Sequence, residues 1–348
     1  MIFLLQKALI FAIPLLIVAL AGMFAERSGI INIALDGIMI FGAFAGAFAS
    51  FYLRRSPFFV DHNQLLFLIC LLIAAVFGAV FSLLLSFSAI NLKADQTIGG
   101  TALNLLAPAV TLFITKVLFN KDKLEMETAL DSSGKSRDFG YAILNGELGP
   151  VGQVLFDKAY ISTFLALLIF VLMSVWIYKT KTGLRLRACG EHPQAAASVG
   201  ISVVRMRYLG TTISGALAGF GGYAYVATVA NGTAEGTVAG MGFLAIAIMI
   251  FGNWKPLGIV FGSLLFGFLK CLAVTYNKSL IVPLESQTWM QNLLAGSEGF
   301  KAFYEAIFKN MYFYNLIPFV TVLIVLAFTS KKSRAPKAEG IPYDKGAR

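Results

Sequence analysis

The stretch LLFLICLLIAAVFGAVFSLLLSF, residues 65–87, contains no charged residue and decides the class of fold. A helix that crosses a bilayer needs about 20 apolar residues of this kind. Because lipid offers the backbone no hydrogen-bond partners, a spanning segment must be helical or part of a closed barrel. A barrel strand alternates apolar and polar residues, whereas this stretch does not alternate. It therefore predicts a transmembrane helix.

The same pattern recurs along the chain, which has 348 residues, of which 58% are hydrophobic and 13% are charged. A soluble domain carries about 25% charged residues. The sequence predicts an all-α integral membrane protein, a polytopic bundle of about eight to ten transmembrane helices. The Gly-rich segments 30–52 and 208–250 are candidates for broken helices, and Gly42 and Gly219 stand in small-residue patterns that favour close packing. The nine apolar segments lie near residues 3–24, 30–52, 65–90, 97–119, 159–178, 208–230, 238–252, 257–276 and 312–329.

Charge is distributed unevenly between the polar stretches that separate these segments. Basic residues dominate 179–207 and the tail 331–348, whereas acids outnumber them in 120–158. Loops rich in Lys and Arg stay in the cytoplasm. We therefore predict a transmembrane domain over 1–330, with outer loops at 120–158 and 277–311, a cytoplasmic loop at 179–207, and a basic cytoplasmic tail at 331–348. The pair Arg54–Arg55 predicts a further cytoplasmic loop early in the chain.

Few residues offer chemistry. The sequence has neither a phosphate-binding loop, nor a hydrolase nucleophile elbow, nor a zinc-protease motif. Its two histidines and three cysteines lack metal-ligand spacing, and no nucleic-acid motif accompanies the net charge of +10. We expect neither catalysis, nor a metal, nor nucleic-acid binding. Polar residues beside apolar segments are candidates for a solute pathway, although each could instead bond a neighbouring helix: Glu26, Asn32, Asp36, Gln96 and Asn104.

Residues 179–201, KTKTGLRLRACGEHPQAAASVGI, form the most informative polar stretch. Pro193 suits the first turn of a helix, and the alanines that follow favour helix. Gly190 and Gly200 suit sharp turns at either end, because glycine adopts positive φ without strain. The pattern predicts a short helix of about two turns within a basic cytoplasmic loop. From the residues alone, this loop could simply connect two spans.

This stretch resembles the cytoplasmic coupling segment of permeases from the branched-chain amino acid, ribose and nucleoside ABC importers. Four further stretches match that superfamily in order, and the first of them is especially similar to its nucleoside branch. They are AERSGIINIALDGIMIFGAFAGA (25–47), LKADQTIGGTALNLLAPAVT (92–111), YLGTTISGALAGFGGYAY (208–225) and GFLAIAIMIFGNWKPLGIVFGSLLFGF (242–268).

The resemblance implies a transport subunit in the inner membrane of a bacterium, surrounded by membrane lipid. Its partners would be an ABC ATPase that binds ATP and Mg²⁺, a second related permease and an extracytoplasmic substrate-binding lipoprotein. A purine nucleoside is the expected solute, with a simple sugar or a branched-chain amino acid as alternatives. An ion-coupled secondary transporter is a weaker alternative, because no clear internal repeat is visible.

The resemblance also assigns coupling to the ATPase to residues within 183–201. The three alanines 195–197 would let the short helix sit in a groove of the ATPase, and the two arginines would pair with its acids. The predicted coupling residues are Gly183, Arg185, Arg187, Ala188, Gly190, Glu191, Pro193, Ala196 and Gly200.

Overall fold

The computed structural model of the chain describes residues 2–126, 160–276, 281–329 and 334–344. The predicted outer loop 120–158 lies outside these ranges from residue 127 onward. The predicted loop 277–311 and the tail 331–348 are described only in part.

Helices make up most of the described chain. The first five are α1 Ile2–Arg27, α2 Leu35–Leu53, α3 Pro57–Asp61, α4 Asn63–Ile90 and α5 Gln96–Phe119. They are followed by α6 Ile161–Lys179, α7 Lys181–Glu191, α8 Pro193–Ser198, α9 Val203–Thr228, α10 Met241–Phe251 and α11 Pro256–Tyr276. The last four are α12 Val282–Glu285, α13 Thr288–Gly296, α14 Glu298–Ile307 and α15 Met311–Thr329. Strands β1 Leu124–Glu125 and β2 Thr233–Ala234 pair antiparallel.

Each of the nine predicted apolar segments contains a helix, so the all-α polytopic class is confirmed. Six of the described helices are long and apolar enough to cross a membrane by themselves, and α14 with α15, bent by 64°, would make a seventh. Helix α10 has only 11 residues and follows a non-helical stretch after α9. The predicted break in the Gly-rich segment 208–250 is therefore present.

Helix α1 occupies the centre of the bundle, and 89% of its most apolar 18-residue stretch is buried by the other helices. Helices α2, α4 and α9 pack together through glycines, as the small-residue pattern predicts. A Cβ atom on Gly42 would lie 2.4 Å from the Gly219 Cα, and one on Gly78 would lie 2.4 Å from the Gly215 carbonyl oxygen. A larger residue at these positions would force the helices apart.

The Arg54–Arg55 pair lies at the end of the bundle opposite to 179–207, which contradicts the prediction that both face the cytoplasm. Helix α2 ends beside α5, where Phe51 and Phe119 have ring centroids 4.8 Å apart. The charges are engaged locally: Arg54 is buried and bonds Asn63, and Arg55 stacks on Phe51. Such a pair carries little topological information, because the positive-inside bias concerns charges free in a loop.

Candidate functional site

The predicted coupling loop consists of two helices, α7 and α8, rather than the single short helix expected. The Thr180 hydroxyl caps α7 by accepting from the Gly183 N–H at 3.1 Å. A Cβ atom on Gly183 would lie 2.3 Å from the Trp176 carbonyl oxygen of α6. Glycine at this position therefore lets α7 fold back closely against the helix that leaves the membrane.

Gly190 does not form the sharp turn that the sequence predicts. It lies within α7, and a Cβ atom there would be 2.3 Å from the carbonyl oxygen of Arg27, the last residue of α1. The same junction holds the Arg27–Glu191 ion pair, with an N···O distance of 3.7 Å. Gly190 is needed for close approach between α7 and α1. Gly200, in contrast, has φ of +83°, as the predicted helix end requires.

Helix α8 begins at Pro193, as predicted, but its alanines do not form one exposed surface. Ala196 is buried and belongs to a small cluster with Cys189 and Val203. Ala195 is exposed. Ala196 therefore packs inside this chain and is not available to a groove of another protein, so the expectation for that residue is wrong.

The two coupling arginines differ in their surroundings. Arg185 is exposed, next to Leu184, which is 60% exposed. Arg187 is half-buried and lies over the Tyr178 ring, 4.9 Å from its centroid. The exposed residues of the segment, which we call the coupling face, are therefore Leu184, Arg185, His192, Gln194, Ala195, Ser198, Val199 and Gly200.

The predicted pathway residues gather around the non-helical connection between α1 and α2, residues 28–34. Gln96 Oε1 accepts from the Ile31 N–H at 2.7 Å. Asn104 donates to the Ile33 carbonyl oxygen at 2.8 Å and accepts from the Gly37 N–H at 2.7 Å. Helix α5 thus holds this connection with two side-chain amides.

Asn32, in the connection itself, is buried and donates to Ser214 of α9 at 2.8 Å. Two amide atoms near this connection, Asn32 Oδ1 and Gln96 Nε2, are buried and have no hydrogen-bond partner among the residues that the structure describes. Unpaired buried polar atoms are uncommon. They mark the polar centre of this region as a place where a water molecule or a solute group would find bonding partners.

The two acids of the predicted pathway hold other elements in place. Asp36 accepts from the Gly242 N–H at 2.9 Å, so its carboxylate lies at the N-terminus of α10, where negative charge is favourable. Glu26 is buried near the end of α1 and accepts from the Trp254 indole N–H. Both acids therefore connect the α1–α2 region to the short helix α10 and to the turn that follows it.

Comparison with known proteins identifies the bundle. The family described as the branched-chain amino acid transport system permease component matches residues 4–329. The guanosine ABC transporter permease NupQ of Bacillus subtilis is 34% identical over 98% of this chain and 96% of its own length. The nucleoside ABC transporter permease NupC of Lactococcus lactis is 34% identical over 97% and 95%. This chain belongs to that permease family.

A second permease of Bacillus subtilis, the guanosine ABC transporter permease NupP, is 25% identical over 78% of this chain and 74% of its own length. No solved structure matches the permease at a significant level. The matched range 4–329 contains both the coupling face and the α1–α2 connection. The family assignment therefore applies to the whole site described above.

Sequence reasoning missed three residues of this permease that contact the site or are buried charges in a spanning helix. Arg207 of α9 is fully buried and donates to the Ile341 carbonyl oxygen at 3.0 Å. Glu339 of the tail lies against Glu26. Lys270 is a buried cation within α11, 5.3 Å from the Phe319 ring centroid. Only Lys270 had a visible signal, as a single charge in an apolar segment.

Proposed function

We propose that this permease is a subunit of a bacterial ABC importer that carries a purine nucleoside across the inner membrane. The observation that supports this most strongly is the 34% identity to a guanosine permease and to a nucleoside permease over almost the whole of each chain. Similarity of that extent covers the coupling segment, the membrane helices and the α1–α2 connection together. The identity therefore bears on the transport process as a whole.

In this proposal a separate ATPase subunit binds ATP and Mg²⁺ and docks on the coupling face. That face combines exposed apolar side chains with a free cation, since Val199 is 75% exposed and Leu184 is 60% exposed beside Arg185. A partner that covers it removes apolar surface from water. Acids on that partner paired with Arg185 would tune the rate of association and the choice of partner.

The packing of α7 supports a route by which movement of the ATPase reaches the membrane helices. Gly190 lets α7 touch the last residue of α1, and Arg27 links Glu191 to the Trp254 carbonyl oxygen. Movement of α7 would therefore move the end of α1 and the connection that follows it. Allosteric coupling requires a physical contact of this kind between two elements.

The solute path, in this proposal, runs beside the α1–α2 connection. Asn32 and Gln96 each leave one buried amide atom unpaired, which supports contact with water or with a polar solute. The surrounding elements are held in place by the hydrogen bonds of Glu26, Asp36 and Asn104. A nucleoside offers hydroxyl and amide groups that match the donors and acceptors of such side chains.

A second, related permease completes the path in this proposal, and an extracytoplasmic lipoprotein delivers the solute. Two differently named guanosine permeases of Bacillus subtilis resemble this chain at different levels of identity. That pattern supports a pair of unequal permeases. We assign ATP hydrolysis to the partner subunit, since the relatives are named as permeases.

Uptake measurements test the solute. Deleting the gene should abolish uptake of labelled guanosine or adenosine, and a plasmid copy should restore it. Ribose and leucine, measured in the same cells, serve as controls for the two alternative branches. Nucleoside uptake that persists while ribose or leucine uptake is lost would show that the solute class is wrong.

A further inference from the structure

Residues 334–344 of the C-terminal tail cross the cytoplasmic end of the bundle and bond four separate elements. The Arg334 N–H donates to Asn253 Oδ1, in the turn between α10 and α11, at 2.8 Å. The Ala338 N–H donates to the Gly190 carbonyl oxygen of α7 at 2.8 Å. The Ile341 carbonyl oxygen accepts from Arg207 of α9, and Asp344 pairs with Lys93 at 3.3 Å.

This segment is also packed against the bundle. Ala338 is 5% exposed, and Tyr343 packs against the cluster that contains Cys189 and Ala196. Gly340 has φ of +75°, and a Cβ atom there would lie 2.7 Å from the Ile31 Cδ1. The segment therefore contacts both the coupling segment and the α1–α2 connection.

Two carboxyl groups meet where the segment crosses the end of α1. Glu339 lies against Glu26, and both are removed from water. Glu339 Oε2 is buried and has no N–H or O–H donor among the described residues. Two buried carboxylates in contact repel each other unless they share a proton. A proton on one of them would supply the missing donor.

We propose that residues 334–344 form a strap that ties the coupling segment to the α1–α2 connection, and that the strap is held in place while the Glu339 carboxyl beside Glu26 is protonated. The strap rests on contacts within this chain, so it does not depend on which solute the permease carries. It makes the freedom of the coupling segment sensitive to cytoplasmic pH.

The charged and polar groups around the pair are consistent with a protonated Glu339. Burial raises the pKa of the Glu339 carboxyl to about 7, against the opposing effects of the hydrogen bond from Glu26 and the charge of Arg27. Arg27 is also engaged by Glu191 of α7, and Trp254 provides a neutral donor to Glu26. Arg207 of α9 lies nearby and binds the strap backbone.

The sign of the pH effect follows from proton linkage. The docked Glu339 has a raised pKa, whereas an undocked Glu339 in water returns to its ordinary value of 4.5. Docking of the strap on the bundle is therefore strongest below pH 4.5, and it weakens as the pH rises through about 7. For one proton, the docking equilibrium falls about tenfold between about pH 6 and about pH 8.

Hydrogen–deuterium exchange on the full-length protein in lipid nanodiscs tests the strap. Rates for a peptide spanning 334–344 are corrected for the intrinsic effect of pH and compared with a buried peptide of α9. In the wild type we expect the 334–344 peptide to be protected at about pH 6 and about tenfold less protected at about pH 8. Glu339→Gln can donate an amide N–H to Glu26, so its protection should remain high at both.

Asp344→Asn is the matched control. It removes the exposed Lys93–Asp344 pair and should lower protection by the same factor at both pH values, because it leaves Glu26 and Glu339 unchanged. A wild-type segment that is unprotected at both pH values overturns the strap. Equal wild-type protection at both, or a pH dependence that persists in Glu339→Gln, overturns the role of the Glu339 proton.

Discussion

At the scale of single residues, the environment of each small side chain decides what it does. Ala195 and Ala196 are adjacent in sequence, yet the first is exposed and the second is 4% exposed against Cys189 and Val203. Gly190 and Gly200 both flank α8, yet one serves close packing and the other a turn. Composition alone does not separate these roles.

This difference predicts opposite results for two tryptophan variants. Ala195→Trp adds bulk to the coupling face, so the ATPase should no longer co-purify and solute-stimulated ATP hydrolysis should fall to background, while thermal stability stays unchanged. Ala196→Trp overfills a packed cluster, which typically costs about 1–3 kcal/mol. That variant should unfold at a lower temperature, as measured by thermal shift in detergent.

Ala302→Trp is the matched control, because Ala302 is exposed on α14, which lies between α11 and α15 in the chain and does not belong to the coupling face. It should leave both ATPase docking and stability at wild-type levels. Normal co-purification of the ATPase with Ala195→Trp would show that α8 is not the docking element.

At the scale of elements, the ends of the helices establish which loops share one side of the membrane. Helix α1 ends against α7, and α2 leads from there to an opposite end shared with α5 and the β1–β2 pair. Five long helices, α1, α2, α4, α5 and α6, precede Lys179 in the described ranges. Because α1 crosses the bundle and its last residue, Arg27, pairs with Glu191 of α7, the start of α1 lies on the side opposite to the coupling segment.

Cysteine labelling in whole cells tests this arrangement. The native cysteines Cys70, Cys189 and Cys271 are buried, so an introduced cysteine gives the main signal with a membrane-impermeant maleimide. Ser56→Cys, beside the Arg54–Arg55 pair, should react from outside. Val199→Cys should react only after the membrane is opened. External labelling of Val199→Cys would reverse the topology and remove the basis for ATPase docking at α8.

At the scale of the whole molecule, the surface divides into an apolar belt and a basic end. Leu72, Leu105 and Phe261 are 65%, 77% and 69% exposed on the flanks of α4, α5 and α11. An apolar surface of that kind suits lipid tails or a second membrane subunit. The coupling face lies at one end of this belt, where an aqueous partner can reach it.

Reconstitution tests the assembled transporter. Proteoliposomes that contain this permease, its paired permease and the ATPase should take up guanosine only when the binding protein is outside and Mg·ATP is available to the ATPase. A proton or sodium gradient without ATP should drive no uptake. Gradient-driven uptake by the single chain would support the alternative of a secondary transporter.

The sequence by itself determined the class of fold, the positions of the helices and the family. Uninterrupted apolar stretches report directly on bilayer crossing, because a spanning segment has to satisfy its backbone hydrogen bonds within itself wherever it lies in the bundle. The glycines of α2 and α9 likewise predicted that these two helices pack closely. The basic stretch 179–201 predicted a cytoplasmic loop from local information too, since charge bias acts on a loop without reference to its neighbours.

Only the tertiary structure decided which side chains of that segment are free, where Arg54 and Arg55 lie, and what the tail contacts. The burial of Ala196, the approach of Gly190 to Arg27 and the meeting of Glu26 with Glu339 join residues far apart in the chain or on different helices. Such contacts depend on the packing of whole helices. No local pattern of apolar or charged residues encodes them.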